Sequence, residues 1–243
     1  MSLTEAGRSY IEACKRIIEQ VGDAERELSG EYVNPKGDLS VTAPWGLGHI
    51  HLLPLAVEFL TEYPDISLRL ALTDRVVNMV DENVDVAVRI GALPDSSMIA
   101  TRVGMIRLVV CASPAYLAAR GHPEKLEDLR RHDCITIDDI APPAAWKFKS
   151  GNRSVGVPIR TRLTVNTSEA AVLAAVAGAG LARVMSYKMD AAKRVGDLAV
   201  VLEAFEPEPL PAHVVYAQRK IAPQKLRAFL NWITPRLKAR LTL

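Results

Sequence analysis

Strand-like and helix-like segments alternate along this chain, and the alternation constrains the fold more than any other feature. After Asp38, apolar residues recur first with the period of a strand and then with that of a helix, which Pro64 closes. This order indicates an α/β fold with a largely parallel sheet and helices on both faces. The pattern predicts strands at residues 39–43, 66–72 and 84–90, and helices at residues 47–63 and 76–83.

A second series of alternating segments begins near residue 108. Its first helix has Pro114 at the first helical position, where no intrahelical N–H is lost. Pro207, Pro209 and Pro211 predict an irregular connection, which leads to a last strand and a closing amphipathic helix. The predicted strands are residues 108–112, 134–137, 146–149, 162–165, 181–184, 198–202 and 213–218, and the predicted helices are residues 114–120, 168–177, 187–195 and 223–237.

The first thirty residues read as one helix with a narrow apolar seam. Apolar side chains recur every three or four residues, and charged residues occupy the other faces. Two interpretations remain open: the helix packs on its own domain, or it pairs with a second chain. Residues 30–37 then break the pattern and predict a linker. The seam consists of Ile11, Cys14, Ile18, Val21 and Leu28.

The composition excludes several classes of protein. The chain has 243 residues, enough for one large domain or two lobes with real cores. No apolar run reaches the roughly 18 residues of a membrane-spanning helix. A net charge of +2 is too small to indicate a nucleic-acid binder. Glu5, Arg8 and Glu12 do not fit a signal peptide, which favours a cytoplasmic location.

No arrangement of residues indicates catalysis, a cofactor or a metal ion. His49 and His51 are two residues apart in a predicted helix, so they point to different faces and chelate poorly. The glycine-rich residues 175–183 lack a dinucleotide-binding motif because Arg183 occupies the place of its third glycine. The three cysteines are far apart and predict free thiols. They are Cys14, Cys111 and Cys134.

Two strand-to-helix turns are better candidates for ligand binding. Helix N-termini attract anions through free N–H groups and the positive end of the helix dipole. The first turn runs over residues 42–46 and the second over residues 166–168. Thr167 or Ser168 either caps its helix alone or also contacts a ligand, and Trp45 is either a cleft-facing ring or a surface or core ring. The candidate residues in these turns are Thr42, Pro44, Trp45, Gly46, Asn166, Thr167 and Ser168.

Four segments in order resemble the LysR-type transcriptional regulators. DVAVRIGALPDSS (residues 85–97) is similar to a signature of the part of these proteins that binds a small-molecule effector. GDLSVTAPWGLGHIHLLPLAVEFLTEYPDISLRL (residues 37–70) resembles the first strand, helix and strand of that domain. LVVCASPAYLAARGHPEKLEDLRRHDCI (residues 108–135) resembles the entry into its second lobe. LTEAGRSY (residues 3–10) resembles the end of the DNA-binding domain, entering a linker helix.

The resemblance implies a two-lobed fold like that of periplasmic binding proteins, with a ligand between the lobes. It implies a linker or dimerisation helix at residues 1–30. Lobe I then takes residues 36–107 and 213–243, and lobe II takes residues 108–212. Arg89, at the end of a strand, faces either the cleft or an ion pair with a neighbour such as Asp85. Arg183 occupies a position that is usually apolar in the family. It either adds a positive charge to the pocket or lies at the rim of the pocket.

The resemblance also implies the function. We expect an effector-sensing and oligomerising domain of a LysR-type regulator, neither an enzyme nor dependent on a cofactor. The expected partners are a small-molecule effector, which we expect to be a small anion or a carboxylate, and further copies of the chain in a homodimer or homotetramer. Promoter DNA is expected to bind only through a winged-helix domain outside this chain. The alternative is a periplasmic-type solute-binding protein. Such a protein would need a signal peptide and would have no use for a pairing helix.

Overall fold

A computed structural model describes residues 34–93, 97–137, 145–151, 153–218 and 222–241, together with nine positions between residues 4 and 22. Eight of these nine positions are helical. The rest of the predicted helix and most of the predicted linker lie outside the described residues. Ile11, Ile18 and Val21 of the apolar seam are 37%, 71% and 54% exposed. Ile18 and Val21 are therefore mostly exposed, whereas Ile11 is only partly exposed.

The first sheet has five strands in the order β2-β1-β3-β12-β4. β1 is parallel to β2 and β3, whereas β12 runs antiparallel to β3 and β4. The prediction of a largely parallel sheet is therefore only partly right, because the chain returns at its end to insert β12 beside β3. The strands are β1 (Gly37–Ala43), β2 (Ile66–Leu72), β3 (Val86–Ile90), β4 (Met98–Ile106) and β12 (Leu210–Ala217).

The second sheet has five strands in the order β11-β5-β10-β6-β9, and a separate hairpin pairs β7 with β8. β6 is parallel to β9 and β10, whereas β5 runs antiparallel to β10 and β11. Arg107 is the single residue between β4 of the first sheet and β5 of the second. The strands are β5 (Leu108–Ala112), β6 (Asp133–Ile137), β7 (Ala145–Ser150), β8 (Arg153–Pro158), β9 (Arg160–Val165), β10 (Leu181–Met185) and β11 (Ala199–Val201).

Helices cover both sheets. The first, α1 (Trp45–Leu47), continues through a π-helical turn (Gly48–Leu52) into α2 (Leu53–Glu62). Two short 3-10 helices, Leu126–Arg131 and Glu203–Phe205, lie in the second half of the chain. The remaining helices are α3 (Pro114–Arg120), α4 (Ser168–Val176), α5 (Ser186–Arg194) and α6 (Gln224–Leu241). We call the first sheet with α1, α2 and α6 lobe I, and the second sheet with α3, α4 and α5 lobe II.

The predicted helix at residues 76–83 is wrong. These residues form turns, and Asn83 has a left-handed backbone (φ 54°). The side-chain oxygen of Asn78 accepts a hydrogen bond from the backbone N–H of Val80 at 3.1 Å. Such a local side-chain bond competes with the helical hydrogen-bond pattern and favours a turn.

The structure adds one strand to those predicted from the sequence and lengthens another. β4, which the hydrophobic pattern did not predict, supplies an edge of the first sheet. β12 begins at Leu210, so Pro211 lies inside a strand rather than in a connection. Pro211 is the second residue of the strand, beside the irregularity between Ala212 and His213, where a missing N–H is tolerated, and its carbonyl accepts a hydrogen bond from the N–H of Gly91 at 2.8 Å. The predicted lobe boundary at residues 212–213 therefore falls within β12.

Each lobe has its own apolar core. In lobe I, Phe59 packs edge-on against Phe229 and Trp232, with ring centroids 5.1 and 5.5 Å apart. In lobe II, α4 presents Ala171 and Ala175, both fully buried, to the sheet. Among the described residues, none of the helices has the length and apolar character needed to cross a membrane.

Candidate ligand-binding cleft

A cavity of about 240 Å³ lies in lobe I at the carboxyl ends of β1, β2 and β3. Of the predicted site residues, Thr42, Pro44 and Arg89 line it. Thr42 is almost fully buried, and its hydroxyl donates a hydrogen bond to the carbonyl of Ala71 at 2.9 Å. The cavity also borders residues 73–77, which the sequence analysis did not select. Polar and apolar groups thus share this small pocket.

Arg89 is anchored to the cavity wall. Its guanidinium donates a hydrogen bond to the carbonyl of Val77. The carboxylate of Asp85, the neighbour considered as its ion-pair partner, accepts instead from the backbone N–H of Ser40 at 3.0 Å. On the same wall, Arg75 pairs through both terminal nitrogens with Glu82. Arg89 is therefore half-buried at the strand end and held in place by a backbone oxygen.

The first turn already holds a carboxylate of this chain. The backbone N–H of Trp45, at the start of α1, donates to Oδ1 of Asp74 at 3.0 Å. A carboxylate at this position is favoured by the helix dipole. The Trp45 ring is 41% exposed and stacks on His49 with centroids 5.1 Å apart. Trp45 is thus a surface ring at the mouth of the cleft in this structure.

Gly46 brings the two lobes together. A Cβ atom at this position would lie 2.6 Å from Cε of Lys188 and 3.0 Å from Oε1 of Glu169, so no larger residue fits without a shift. Lys188 belongs to α5 and Glu169 to the first turn of α4, both in lobe II. The two turns selected from the sequence therefore face each other across the cleft at this glycine.

Lys188 and Glu169 form an ion pair at this contact. Nζ of Lys188 lies 3.2 Å from Oε1 of Glu169, and the lysine side chain is only 6% exposed. Oε1 is buried yet accepts no hydrogen bond from any described residue. A buried ammonium thus faces an incompletely satisfied carboxylate, an arrangement that costs free energy unless another group completes it.

Tyr187 and His51 pack beside this ion pair. Their rings meet edge-on with centroids 5.7 Å apart, and Tyr187 joins the apolar core of lobe I from its position in lobe II. Burial and the nearby carboxylates of Asp74 and Glu169 raise the pKa of the Tyr187 phenol, so it stays protonated. Burial and the charge of Arg240 lower the pKa of His51, so its imidazole is neutral at pH 7.

The second turn caps a helix. Oγ1 of Thr167 accepts a hydrogen bond from the N–H of Ala170 at 3.2 Å, as expected of an N-cap residue. Asn166 and Thr167 are exposed, and Ser168 is half-buried. Thr167 therefore caps α4, and the exposed polar groups of this turn lie at the N-terminus of α4 beside Glu169.

Arg183 lies apart from the cavity. Its guanidinium packs over the rings of Trp146 and Phe148, 5.7 and 5.8 Å from their centroids. It also donates a hydrogen bond to the carbonyl of Lys147 at 3.0 Å. Burial lowers the pKa of Arg183 to about 10. These contacts attach the β7–β8 hairpin to lobe II.

The described part of the chain contains no group of three or more His, Cys, Asp or Glu side chains placed to hold a metal ion. Cys111 and Cys134 are buried, and burial raises the pKa of each thiol to about 12. Both thiols are therefore protonated and unsuited to nucleophilic chemistry near neutral pH.

The chain is similar to proteins of one family along nearly its whole length. Residues 34–238 match the model of the LysR substrate binding domain. The HTH-type transcriptional regulator YhjC of Escherichia coli strain K12 is 30% identical over 98% of this chain and 80% of its own length. The HTH-type transcriptional regulator CrgA of Neisseria meningitidis is 31% identical over 98% of this chain and 79% of its own.

Solved structures agree with the sequence comparisons. The structure of CrgA, a LysR-type transcriptional regulator from Neisseria meningitidis, superimposes with a TM-score of 0.75. The match is 29% identical and covers 97% of this chain and 80% of that one. Both the fold and the family assignment therefore rest on matches that extend over both lobes.

Proposed function

Because the chain belongs to the LysR substrate-binding domain family, the effector-binding part of LysR-type transcriptional regulators, we propose that it senses a small organic anion between its lobes. The observation that carries this proposal is the buried Lys188 ammonium opposite Gly46. A carboxylate that enters a buried site needs charge-assisted hydrogen bonds. Lys188 supplies such donors at the meeting point of the lobes.

Glu169 is proposed to act as the internal occupant of this site. Its Oε1 lies 3.2 Å from Nζ of Lys188, close enough for an ion pair, but this oxygen accepts no hydrogen bond from the described residues. An effector carboxylate that replaces Glu169 would keep Lys188 paired and release the Glu169 side chain to water. Because Glu169 lies in the first turn of α4 in lobe II and Gly46 lies in α1 of lobe I, this exchange would change how the lobes meet.

The sequence-selected residues keep a role in this proposal. Thr42, Pro44 and Arg89 would contact the body of the effector in the lobe I cavity, and Trp45 and Gly46 would form its mouth. Exposed groups of Asn166, Thr167 and Ser168 would supply polar contacts from lobe II. Arg183 is proposed to hold the β7–β8 hairpin instead.

A thermal-shift screen tests the proposal. Small carboxylates and aromatic acids are titrated at constant ionic strength against the wild type, Lys188→Met and Lys193→Met. Lys193 is an exposed lysine of the same helix and serves as the matched control. An acid that binds the folded state raises the melting temperature of the wild type and of Lys193→Met. We expect Lys188→Met to weaken binding about 10- to 100-fold, as for the loss of a hydrogen bond to a charged group.

Two outcomes contradict the proposal. One is an acid that shifts the melting temperature of Lys188→Met as much as that of the wild type. The other is a screen in which only neutral or cationic compounds bind. Thr167→Ala and Ser168→Ala are expected to weaken binding by on the order of 1–3 kcal/mol if they contact the anion.

Self-association is a second part of the proposal. Large apolar side chains are exposed along α2 and the turn before it and on α4, including Val57 at 59% and Leu173 at 69%. Ile18 and Val21 of the N-terminal seam are exposed as well. Apolar stripes on helices of one chain are covered when a second copy packs against them. We therefore infer a homodimer or homotetramer.

Sedimentation velocity at micromolar concentration tests the assembly. The wild type is expected to sediment as a dimer or larger, and Val57→Lys with Leu173→Lys is expected to shift it toward monomer. Val195→Lys changes an equally exposed valine at the end of α5 and is expected to leave assembly unchanged. A monomeric wild type contradicts this part of the proposal.

The proposed setting is the cytoplasm, with promoter DNA bound by another part of the regulator. The relatives carry HTH-type names, which supports a helix-turn-helix domain as the DNA-binding part. The net charge of +2 offers this chain little affinity for a phosphate backbone. The role assigned to this domain is therefore regulatory rather than catalytic. A gel shift in which this chain forms sequence-dependent complexes with DNA at physiological salt would contradict the proposal that another part of the regulator binds the promoter.

A further inference from the structure

Three arginines surround one buried carboxylate in lobe II. Nη1 of Arg162 lies 2.8 Å from Oδ2 of Asp133, Nε of Arg160 lies 3.5 Å from Oδ1, and Nη2 of Arg120 lies 3.6 Å from Oδ2. The Asp133 side chain is 3% exposed, whereas those of the arginines are between 50% and 64% exposed. The Asp133 carboxylate therefore lies on the buried side of the cluster, and the three guanidiniums lie on its solvent-exposed side.

Asp133, the buried residue of this cluster, is held in place by hydrogen bonds around its backbone. The N–H of Asp133 donates to the hydroxyl of Tyr116 at 3.0 Å, and the same hydroxyl lies 3.2 Å from Nδ1 of His132. The Arg162 hydrogen bond and the charges of the three arginines lower the pKa of Asp133, so it is ionised at pH 7. Asp133 thus fixes the arginines without neutralising them.

The cluster carries an excess of positive charge. Three guanidiniums against one carboxylate leave a local charge of +2. Among the described contacts, Oδ1 of Asp133 accepts no hydrogen bond, so Arg160 contributes through charge rather than through a bond to this acid. Like charges held this close repel one another, and a bound dianion would remove the repulsion.

A cavity opens beside the cluster. It has a volume of about 510 Å³ and is lined by Arg120, Arg162 and Asp133 together with small side chains of α3 such as Ala115 and Ala119. Cavities that hold small molecules have volumes in this range. The space therefore accommodates a charged head beside the arginines and a small apolar body against the alanines.

We propose that this cavity is a second anion-binding site, for a phosphate group on a small molecule or free in solution. Phosphate carries close to two negative charges at pH 7, and the two arginines that line the cavity, Arg120 and Arg162, supply two positive charges. Its oxygens also fit the planar fork of a guanidinium better than they fit a single point charge. A monocarboxylate would leave half of the excess charge unpaired.

The proposed phosphate site is separate from the cleft. Arg160 begins β9, and the strand ends at Val165, just before the turn that faces Gly46. Six residues of strand span about 17 Å, so the two sites lie at opposite ends of β9. Binding at the Asp133 cluster consequently neither needs nor excludes an effector at Lys188.

Isothermal calorimetry at constant ionic strength tests the site with sodium phosphate and phenyl phosphate as separate probes. The wild type is expected to bind phosphate saturably at one site, and Arg162→Gln is expected to weaken binding at least about tenfold. Arg130→Gln removes an exposed arginine of the neighbouring 3-10 helix and is expected to bind like the wild type. Circular dichroism confirms the fold of each variant, and Arg120→Gln, at the other arginine that lines the cavity, replaces Arg162→Gln if the latter does not fold.

The two probes distinguish the source of the phosphate. Tighter binding of phenyl phosphate assigns the site to a phosphomonoester whose body contacts the alanines, and equal affinities assign it to the phosphate group alone. The proposal is overturned if neither probe binds up to about 10 mM, a concentration that detects even weak sites. Equal binding by Arg162→Gln and the wild type, or an equal loss in Arg130→Gln, also overturns it.

Discussion

The two lobes share an architecture of one five-stranded mixed sheet covered by helices, but they are stabilised in different ways. Lobe I buries large aromatic rings between α2 and α6, with Phe59 in contact with both Phe229 and Trp232. Lobe II packs alanines of α4 against its sheet and buries a polar network of Tyr116, His132 and Asp133. Lobe II also buries the large rings of Trp146 and Phe148, so the two lobes differ in the alanine contact and the polar network of lobe II rather than in the presence of aromatic residues.

The difference has a consequence for ligand binding. Lobe I offers the cleft a cavity whose walls are backbone turns and the anchored Arg89. Lobe II contributes charged groups, since Glu169 and Lys188 reach across to Gly46 from α4 and α5. We therefore expect lobe I to determine the shape of the effector and lobe II to determine its charge.

The largest effect is expected in the aromatic core of lobe I. Phe229→Ala removes a buried ring and should lower the free energy of unfolding by about 3–5 kcal/mol, because the cavity it leaves cannot fully close. Val195→Ala, at an exposed valine at the end of α5, should stay within about 0.5 kcal/mol. Urea denaturation measures both. A loss below 1 kcal/mol, roughly a surface effect, for Phe229→Ala contradicts this view of the core.

The polar network of lobe II should contribute a smaller amount. Tyr116→Phe leaves the N–H of Asp133 and Nδ1 of His132 without their common partner, and should cost about 1–3 kcal/mol. Tyr63→Phe keeps the ring contact with Phe59 and serves as the control. If the two substitutions prove equally mild in urea denaturation, the network does not stabilise lobe II.

The junction between the lobes should contribute less again. Arg107 donates from Nε and Nη2 to Glu206 at 2.7 and 2.6 Å, and so ties the β4–β5 crossover to the segment that returns to lobe I. Arg107→Met should reduce stability by about 1–2 kcal/mol, since the pair is only partly exposed. Arg153→Met, at an exposed arginine of β8, is the control. Equal melting temperatures for the two variants would show that the junction does not depend on this pair.

The smallest effect concerns pH. Burial lowers the pKa of His51 and His213 below 6.5, so the unfolded chain takes up more protons than the folded one as the pH falls through that value. Stability should therefore decrease from pH 7.5 to 5, by less than about 1.4 kcal/mol per pH unit for each histidine. His51→Gln should flatten the melting-temperature profile, and His122→Gln, at an exposed loop position, serves as the control substitution. A steeper fall of the melting temperature with decreasing pH in His51→Gln contradicts a lowered pKa of His51.

Much of the fold was predictable from the sequence because strands and helices bury their apolar residues with different periods. The predicted first strand and the strand at residues 108–112 agree closely with β1 and β5. The helix at residues 76–83 was wrong because a local Asn78 side-chain bond, which no periodicity reveals, favours turns. The antiparallel strands β5 and β12 follow from long-range connections, so local patterns could not show the mixed pairing.

The candidate site was predictable only in part. The turns at Gly46 and Ser168 were visible because a strand followed by a capping residue marks a helix start. Lys188 and Glu169 carry no such mark, since they meet through tertiary contact between two helices. Arg183 was selected for its charge, yet its neighbours are the rings of Trp146 and Phe148, from a hairpin that lies about 35 residues earlier.

The most direct test of anion sensing is a crystal structure of the domain with the acid that gives the largest shift in the thermal screen. We expect a carboxylate oxygen of that acid within about 3 Å of Nζ of Lys188, with Glu169 withdrawn from its present position. An acid bound elsewhere while the Lys188–Glu169 pair stays intact would contradict it.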